Sequence, residues 1–324
     1  MKNRYGFALG LVLALAGNMV LAQDSGPAWP ARSVRFVVPS SPGGGSDTYA
    51  RLLAYGLGDA LKRQFVVDNR PGASGTVGAE IAAKATPDGY TFLVSSNTVL
   101  VINPSLYKSL PYNAERDFTP VARGVISPSV YTSHPSVPAR TLPALIELAK
   151  REPGKLTYGS AGSGSTGNLA VKMLEEASGA RFVHVPYKGV GVVVTALIRG
   201  EIALMVSEFG SAQPHIQSGR ILALAVSHRT PLLLDTPTLA EAGYPSIDAY
   251  PSFSVAAPSG TPTAIVQRLS AEIMKVMKSP SIREKLDARG SIPVFDTPEE
   301  FAVTLNKERA KYAEVIRRNN IVAE

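Results

Sequence analysis

The chain has 324 residues, long enough for two domains that each bury a core. Hydrophobic residues make up 45% and charged residues 18%, a balance that excludes a disordered chain and a multi-pass membrane protein. There is no cysteine, which removes disulfide frameworks, thiolate metal sites and cysteine nucleophiles; the net charge of +7 is spread along the chain, which suits an anionic ligand better than nucleic acid.

Lys2 and Arg4 open the chain, and no further charge occurs until Asp24. Phe7 to Ala16 is apolar, and Val20-Leu21-Ala22 places small residues at the −3 and −1 positions before Gln23. This is the layout of a secretory signal peptide over residues 1–22, cleaved after Ala22, and it predicts an exported protein. The apolar stretch is short against the ~20 residues needed to span a bilayer, which disfavours an uncleaved anchor.

Strands and helices then alternate. Val34-Arg35-Phe36-Val37-Val38 reads as a strand buried on both faces. A Pro/Gly loop leads to a helix that places Tyr49, Leu52, Leu53, Leu57 and Leu61 on one stripe, with Ser46 or Asp47 as its N-cap. A strand from Phe65 to Asp68, a helix around Val77 to Ala85 and a strand from Thr91 to Ser95 follow. After a Pro-punctuated passage from Pro120 to Pro138, a helix from Leu142 to Arg151 restarts the pattern. Strand Leu156 to Ser160, a Gly/Ser loop, a helix with Leu169, Met173 and Leu174, and strand Phe182 to Val185 come next. Helix Val192 to Ile198 and strands Ile202 to Val206 and Ile221 to Val226 complete the block, and beyond Ala257 the chain is helical. The order predicts an α/β fold with two open, largely parallel sheets, helices on both faces and a ligand cleft between similar lobes.

Two glycine-rich loops carry the chemistry. The first reads Pro39-Ser40-Ser41-Pro42-Gly43-Gly44-Gly45-Ser46-Asp47 and the second Gly159-Ser160-Ala161-Gly162-Ser163-Gly164-Ser165-Thr166-Gly167. Each lies between a strand and an amphipathic helix, so its N–H groups and the helix dipole form an anion cradle. The amides of Gly44 and Ser165 are expected among the donors, with hydroxyls from Ser40, Ser46, Ser160, Ser163, Ser165 and Thr166. An ordinary tight turn explains either loop alone; two, one per lobe, point to a ligand in the cleft.

Catalytic patterns are missing. Gly162, Gly164 and Gly167 satisfy G-x-G-x-x-G, yet the acid expected about 20 residues on is replaced by Phe182-Val183-His184-Val185-Pro186-Tyr187. There is no G-x-x-x-x-G-K-[ST], H-E-x-x-H or G-x-S-x-G, and the four histidines have no ligand-like spacing. No cofactor and no metal are expected. Asp47 and Arg51 read most simply as an i,i+4 pair. An oxyanion hole in a secreted enzyme, and an ABC-type receptor for another anion, remain alternative uses of the loops.

Collinear motifs then accumulate: Trp29-Pro30; Pro42-Gly43-Gly44 with Asp47 and Ala50-Arg51; Asp68-Asn69-Arg70-Pro71-Gly72; Pro87-Asp88-Gly89-Tyr90; Asn103-Pro104; Pro153-Gly154-Lys155-Leu156; Val185-Pro186-Tyr187-Lys188-Gly189; Pro214-His215; and Ala257-Pro258-Ser259-Gly260-Thr261-Pro262. Over essentially the whole mature chain this resembles the Bug/TctC family of extracytoplasmic solute-binding receptors of tripartite tricarboxylate transporters. The resemblance implies a type II-like periplasmic binding protein, two doubly wound α/β lobes joined by a hinge. Lobe 1 would take residues 28–126 and 252–324, and lobe 2 residues 127–251, with the hinge near 124–128 and 250–251. It further implies a monomeric, non-enzymatic receptor. Closing its lobes, it captures a small carboxylate (a di- or tricarboxylate, or an aromatic one) and delivers it to the membrane transporter or a sensor domain. The clamp falls on Ser40, Ser41, Pro42, Gly43, Gly44, Gly45 and Asp47, and on Ser160, Ala161, Gly162, Ser163, Gly164, Ser165 and Thr166. Ser95 and Asn97 are secondary contributors, and Ser207 and Glu208 shape the distal part. The family often has Asp where Ser207 stands, His at Asn168 and Trp at Ser252. Losing the acid at Ser207 favours a dicarboxylate or aromatic carboxylate over an amino acid, with Glu208 as a neighbouring acid able to compensate.

Overall fold

The computed structural model describes residues 29–323, so the signal-peptide reading lies outside the described residues. β1 (Val34–Val38) passes through the first glycine loop into α1 (Gly45–Leu61), followed by β2 (Phe65–Asn69), α2 (Thr76–Ala83) and β3 (Thr91–Ser96). A π-type turn, Thr98–Ile102, runs into the short α3 (Asn103–Leu106), and β4 (Phe118–Ile126) and β5 (Ser129–Ser133) are separated by two residues. Then come α4 (Leu142–Arg151), β6 (Thr157–Ser160), α5 (Thr166–Ser178), β7 (Val183–Pro186), α6 (Val190–Ile198), β8 (Leu204–Glu208), α7 (Phe209–Gln217) and β9 (Leu222–Val226). The chain ends with β10 (Ser252–Pro258), α8 (Thr263–Lys278), α9 (Pro280–Asp287), β11 (Ile292–Pro293) and α10 (Pro298–Arg318).

Two sheets result, in the orders β11-β4-β10-β3-β1-β2 and β7-β6-β8-β5-β9. Apart from the short β11, they share one plan. A central strand (β1 or β6) pairs in parallel on both sides, and the next strand out meets an antiparallel neighbour. The expectation of largely parallel sheets is therefore corrected to mixed sheets. The antiparallel neighbours, β10 and β5, are the strands that enter each sheet from the other half of the chain, so they run against the βαβ units. The Pro-punctuated passage from Pro120 to Pro138 holds most of β4 and all of β5, strands that its prolines concealed; Pro120 sits opposite Ala256 at a register shift, where an irregular ladder tolerates it.

Phe36, Leu53, Leu57, Phe92, Val255 and Leu269 pack α1 and α8 onto one face of the first sheet. Val37 and Leu93 on its other face join a larger cluster that runs through Phe301, Leu305 and Tyr312 of α10 to Leu169 and Leu174 of α5. α10 thus links the two sheets. A capping box between Thr297 and Glu300 starts it, and Arg309 Nε donates to the Leu100 carbonyl at 2.8 Å.

α5 lies so close to β8 that a Cβ on Gly167 would run into the main-chain carbonyl of Val206. Ala for Gly inside a helix gains about 0.5–1 kcal/mol from backbone entropy, whereas overpacking costs about 1–3 kcal/mol. Overpacking should win, so Gly167→Ala is expected to lower the calorimetric Tm by several degrees; an unchanged or raised Tm would show that this contact is not tight.

Candidate functional site

The register Val37↔Leu93 between β1 and β3 carries Ser40 and Ser95 to the same end of the first sheet. Ser95 is fully buried, and neither the Ser95 Oγ nor the Ser40 Oγ has a hydrogen-bond partner among the described residues. Asn97 continues this end: its Nδ2 donates to the Tyr250 carbonyl at 3.0 Å, and its Oδ1 is buried and unpaired. Buried polar atoms without partners are rare in native proteins, and a group of them at the carboxyl end of a parallel pair marks a place that a polar ligand fits.

Both glycine loops are braced by the residue four positions after one of their glycines. In the first, the Gly43 amide donates to Asp47 Oδ2 at 2.8 Å; in the second, the Gly164 amide donates to Asn168 Oδ1 at 3.0 Å. Gly43 and Gly164 have φ of +84° and +76°, left-handed values that a side chain would strain. Asp47 is 2% exposed and both its oxygens are occupied, since Arg51 Nε lies 3.0 Å from Oδ2 and Asn69 Nδ2 lies 2.9 Å from Oδ1. Burial raises the Asp47 pKa, but the bonds from Arg51, Gly43 and Asn69 outweigh it and hold the carboxyl below its usual range. Asp47, expected among the ligand contacts, thus has both oxygens engaged in bracing the first loop.

Two expected donors are also committed elsewhere. The Gly44 amide donates to the Ser41 carbonyl at 3.2 Å and the Ser165 amide to the Gly162 carbonyl at 3.1 Å, closing the two turns. Ser160 Oγ lies 2.7 Å from His184 Nε2 and 3.2 Å from the Gly162 amide, and the Ser165 hydroxyl caps α5 by accepting from Asn168 N. The first-turn amides of α1 and α5, including those of Gly45 and Ser46, and of Thr166 and Gly167, remain the donors that helix geometry leaves over. Ser207 is buried and its hydroxyl donates to the Glu208 carbonyl at 3.2 Å.

Each loop touches the other half of the molecule. A Cβ on Gly45 would stand 2.7 Å from Glu208 Oε2 and would run into the Phe253 ring, while one on Gly164 would run into Leu106 of α3. Glu208 also accepts from Ser211 Oγ at 3.2 Å, and burial raises its pKa against the opposing influence of Ser211 and Arg289. A chamber of about 820 Å3 opens beside the first loop, with Gly43, Gly45, Asp47, Glu208 and Phe253 in its wall. No residue of the second loop lines it; that loop packs its Gly164 against Leu106. Spacing did not reveal Asn69 as a partner of Asp47, nor Tyr158, whose hydroxyl accepts from Asn168 Nδ2 at 2.8 Å. Among the described residues no cluster of His, Asp and Glu has metal-ligand placement.

Residues 49–321 match the family described as the tripartite tricarboxylate transporter family receptor, TctC. The chain belongs to this receptor family. Protein BugT of Bordetella pertussis is 36% identical over 312 residues, covering 95% of each chain. Among solved structures, R. palustris Rpa4515 with adipate is 34% identical with a TM-score of 0.83, covering 91% of this chain and 99% of that one. MatC of Rhodopseudomonas palustris with bound malate is 28% identical with a TM-score of 0.78, covering 89% and 99%. The TctC family is one of periplasmic solute-binding receptors and not a class of enzymes. That agrees with the periplasmic binding-protein fold implied by the resemblance and with the α/β class expected from the alternating elements.

Asp47→Asn tests the brace. It removes the charge that Arg51 pairs with and should cost about 1–3 kcal/mol at neutral pH. Because the folded-state pKa of Asp47 is depressed, its contribution is present above the unfolded value of about 3.9 and is lost as pH falls through the folded value. Urea titrations of the two proteins should therefore differ at pH 7 and converge only once pH has fallen below the depressed folded-state value; a gap that persists in stronger acid would rule out the carboxylate charge as its source.

Proposed function

We propose that this protein is a periplasmic receptor that captures a small carboxylate between its halves and delivers it to membrane subunits of a tripartite tricarboxylate-type transporter. In this reading lobe 1 comprises residues 28–126 and 252–324 and lobe 2 residues 127–251, and a signal peptide over residues 1–22 directs export. The observation that carries it is the pair of buried hydroxyls, Ser40 and Ser95, that lack partners at neighbouring strand ends beside the start of α1. Adipate and malate in the related R. palustris proteins support a carboxylate as the occupant.

The chemistry is recognition rather than turnover. One carboxylate accepts from Ser40 and Ser95 and from first-turn amides, each charge-assisted bond contributing about 1.5–3 kcal/mol. The second loop supplies the opposing wall, so the ligand favours the closed arrangement by as much as it binds that arrangement better. Motion falls on the two crossover segments. There the Ser127 amide donates to the Pro251 carbonyl at 2.9 Å and Ser129 Oγ to the Ala249 carbonyl at 3.0 Å, which keeps the segments side by side as a hinge.

Thermal-shift titration with adipate, malate and citrate tests the reading, because a ligand at 100 times its Kd stabilises by about 2.7 kcal/mol. The double variant Ser40→Ala/Ser95→Ala loses no protein–protein hydrogen bond from these hydroxyls, so without ligand it should melt at or slightly above the wild-type temperature. Its affinity should fall at least tenfold, the equivalent of about 1.4 kcal/mol. Full affinity in this variant would place the carboxylate elsewhere.

A further inference from the structure

A second concavity lies in the second half of the chain, and neither glycine loop contributes to it. β7 and β8 both run parallel to β6, so α6 and α7, which follow them, point the same way. Between the two helices is a groove of about 460 Å3, within the roughly 300–1,000 Å3 of binding sites. Val190, Val194 and Ile198 of α6 give it an apolar side about 12 Å long, the rise of a helix over that span.

One end of the groove is cationic. Arg199 is the C-cap of α6, His215 stands in the last turn of α7 and Arg220 follows that helix; all three line the groove, and no acid does. A cation at a helix carboxyl end complements the helix dipole, which accounts for one at each end but not for the rest. Among the described residues Arg220 has no carboxylate within ion-pair distance, its Nε donating to Ser218 Oγ at 3.1 Å. Arg199 meets Glu201 at 3.6 Å with both side chains more than half exposed, a pair that contributes little. The His215 Nδ1 is buried without a hydrogen-bond partner among the described residues; burial and then Arg220 lower the pKa of its ring, so it offers a hydrogen bond rather than a charge. Toward the other end Ser211, in the first turn of α7, lines both this groove and the chamber beside α1, and its hydroxyl donates at 3.2 Å to Glu208 in the chamber wall.

We propose that the groove between α6 and α7 is a docking surface for an acidic, amphipathic segment of the transporter's membrane subunits, an inference that rests on the reading of this protein as a receptor that delivers to them. Carboxylates of the segment pair with Arg199 and Arg220 and reach His215, and apolar side chains on the same face lie along Val190, Val194 and Ile198. An aliphatic side with cations at one end and no acid is complementary to that chemistry, and its length suits about two turns of a helix. A partner seated here touches the same helix that walls the chamber. Through α7, docking and the state of the chamber are linked, which is what a receptor needs if unloading follows docking.

Site-specific photocrosslinking tests this, with p-benzoylphenylalanine placed at Thr195, an exposed position on the groove, or at the exposed Val303 of α10 for reference. The mature chain is irradiated with membranes of the organism that makes it, and the products are identified by mass spectrometry. The Thr195 probe should give a product with an integral subunit of the transporter. Arg199→Glu/Arg220→Glu, changes to exposed side chains, should lower its yield at least tenfold. Arg199→Lys/Arg220→Lys should keep most of it, and rising salt should weaken it in the wild type. Both variants should keep the wild-type thermal shift with adipate or malate, which separates a lost contact from a lost fold. A Thr195 product with a second copy of this chain, a yield indifferent to charge reversal, or a membrane product from Val303 but none from Thr195 would overturn the groove and leave delivery standing. No membrane product from either position would overturn delivery with it. A Thr195 product with a transporter subunit in a protein whose melting temperature no carboxylate shifts would support the groove and remove only the capture reading.

Discussion

A side-chain oxygen four residues downstream of a left-handed glycine is the constraint on which both glycine-rich loops depend. A glycine-rich segment is free to take many conformations, and ordering each residue costs about 1–2 kcal/mol. Asp47 and Asn168 meet that cost locally, each accepting one loop amide from within the first turn of its own helix. The two solutions are electrically unlike. Asp47 adds a negative charge at the start of α1 and recruits Arg51 and Asn69 to balance it. α5 has no acid in its first turn, and Asn168 recruits the neutral Tyr158 hydroxyl, so the positive end of that helix is uncompensated. Of the two, the second loop therefore offers an anion the stronger field.

The halves are not merely neighbours. Gly164 is seated on Leu106, Gly45 meets Glu208, and the apolar cluster of α10 continues into α5. Contacts of this kind, made by glycines on one side and side chains on the other, separate without breaking a covalent or strongly hydrogen-bonded element. The crossover segments stay joined through main-chain bonds such as Ser127 N to the Pro251 carbonyl at 2.9 Å. A joint of this kind beside a glycine-lined seam is what the proposed closure of two lobes requires.

Much of the fold was legible because buried strands such as Val34 to Val38 are continuous apolar runs and helices such as α10 carry clear caps and stripes. The strands β4 and β5 were not, because Pro120 and Pro128 read as turns, and only the partner strand reveals where a proline is tolerated. The glycine loops were legible as loops. Which amides they expose was not: Gly44 and Ser165 look like donors until the turns that consume them are seen. Nor does spacing report Arg199 and Arg220 as neighbours on one groove, since what brings them together is the packing of α6 against α7.

The way the strands are shared has a consequence for how such a chain matures. β5 to β9 form a contiguous stretch, so the second sheet needs nothing outside residues 129–226 to complete its ladder. The first sheet cannot fill the gap between β3 and β4 until β10, beginning at Ser252, has been delivered. A polypeptide emerging amino end first thus holds its leading portion unfinished while a later portion closes, and the edges of β3 and β4 must wait unpaired across that interval. That unfinished stage is when the chain is most exposed to mispairing.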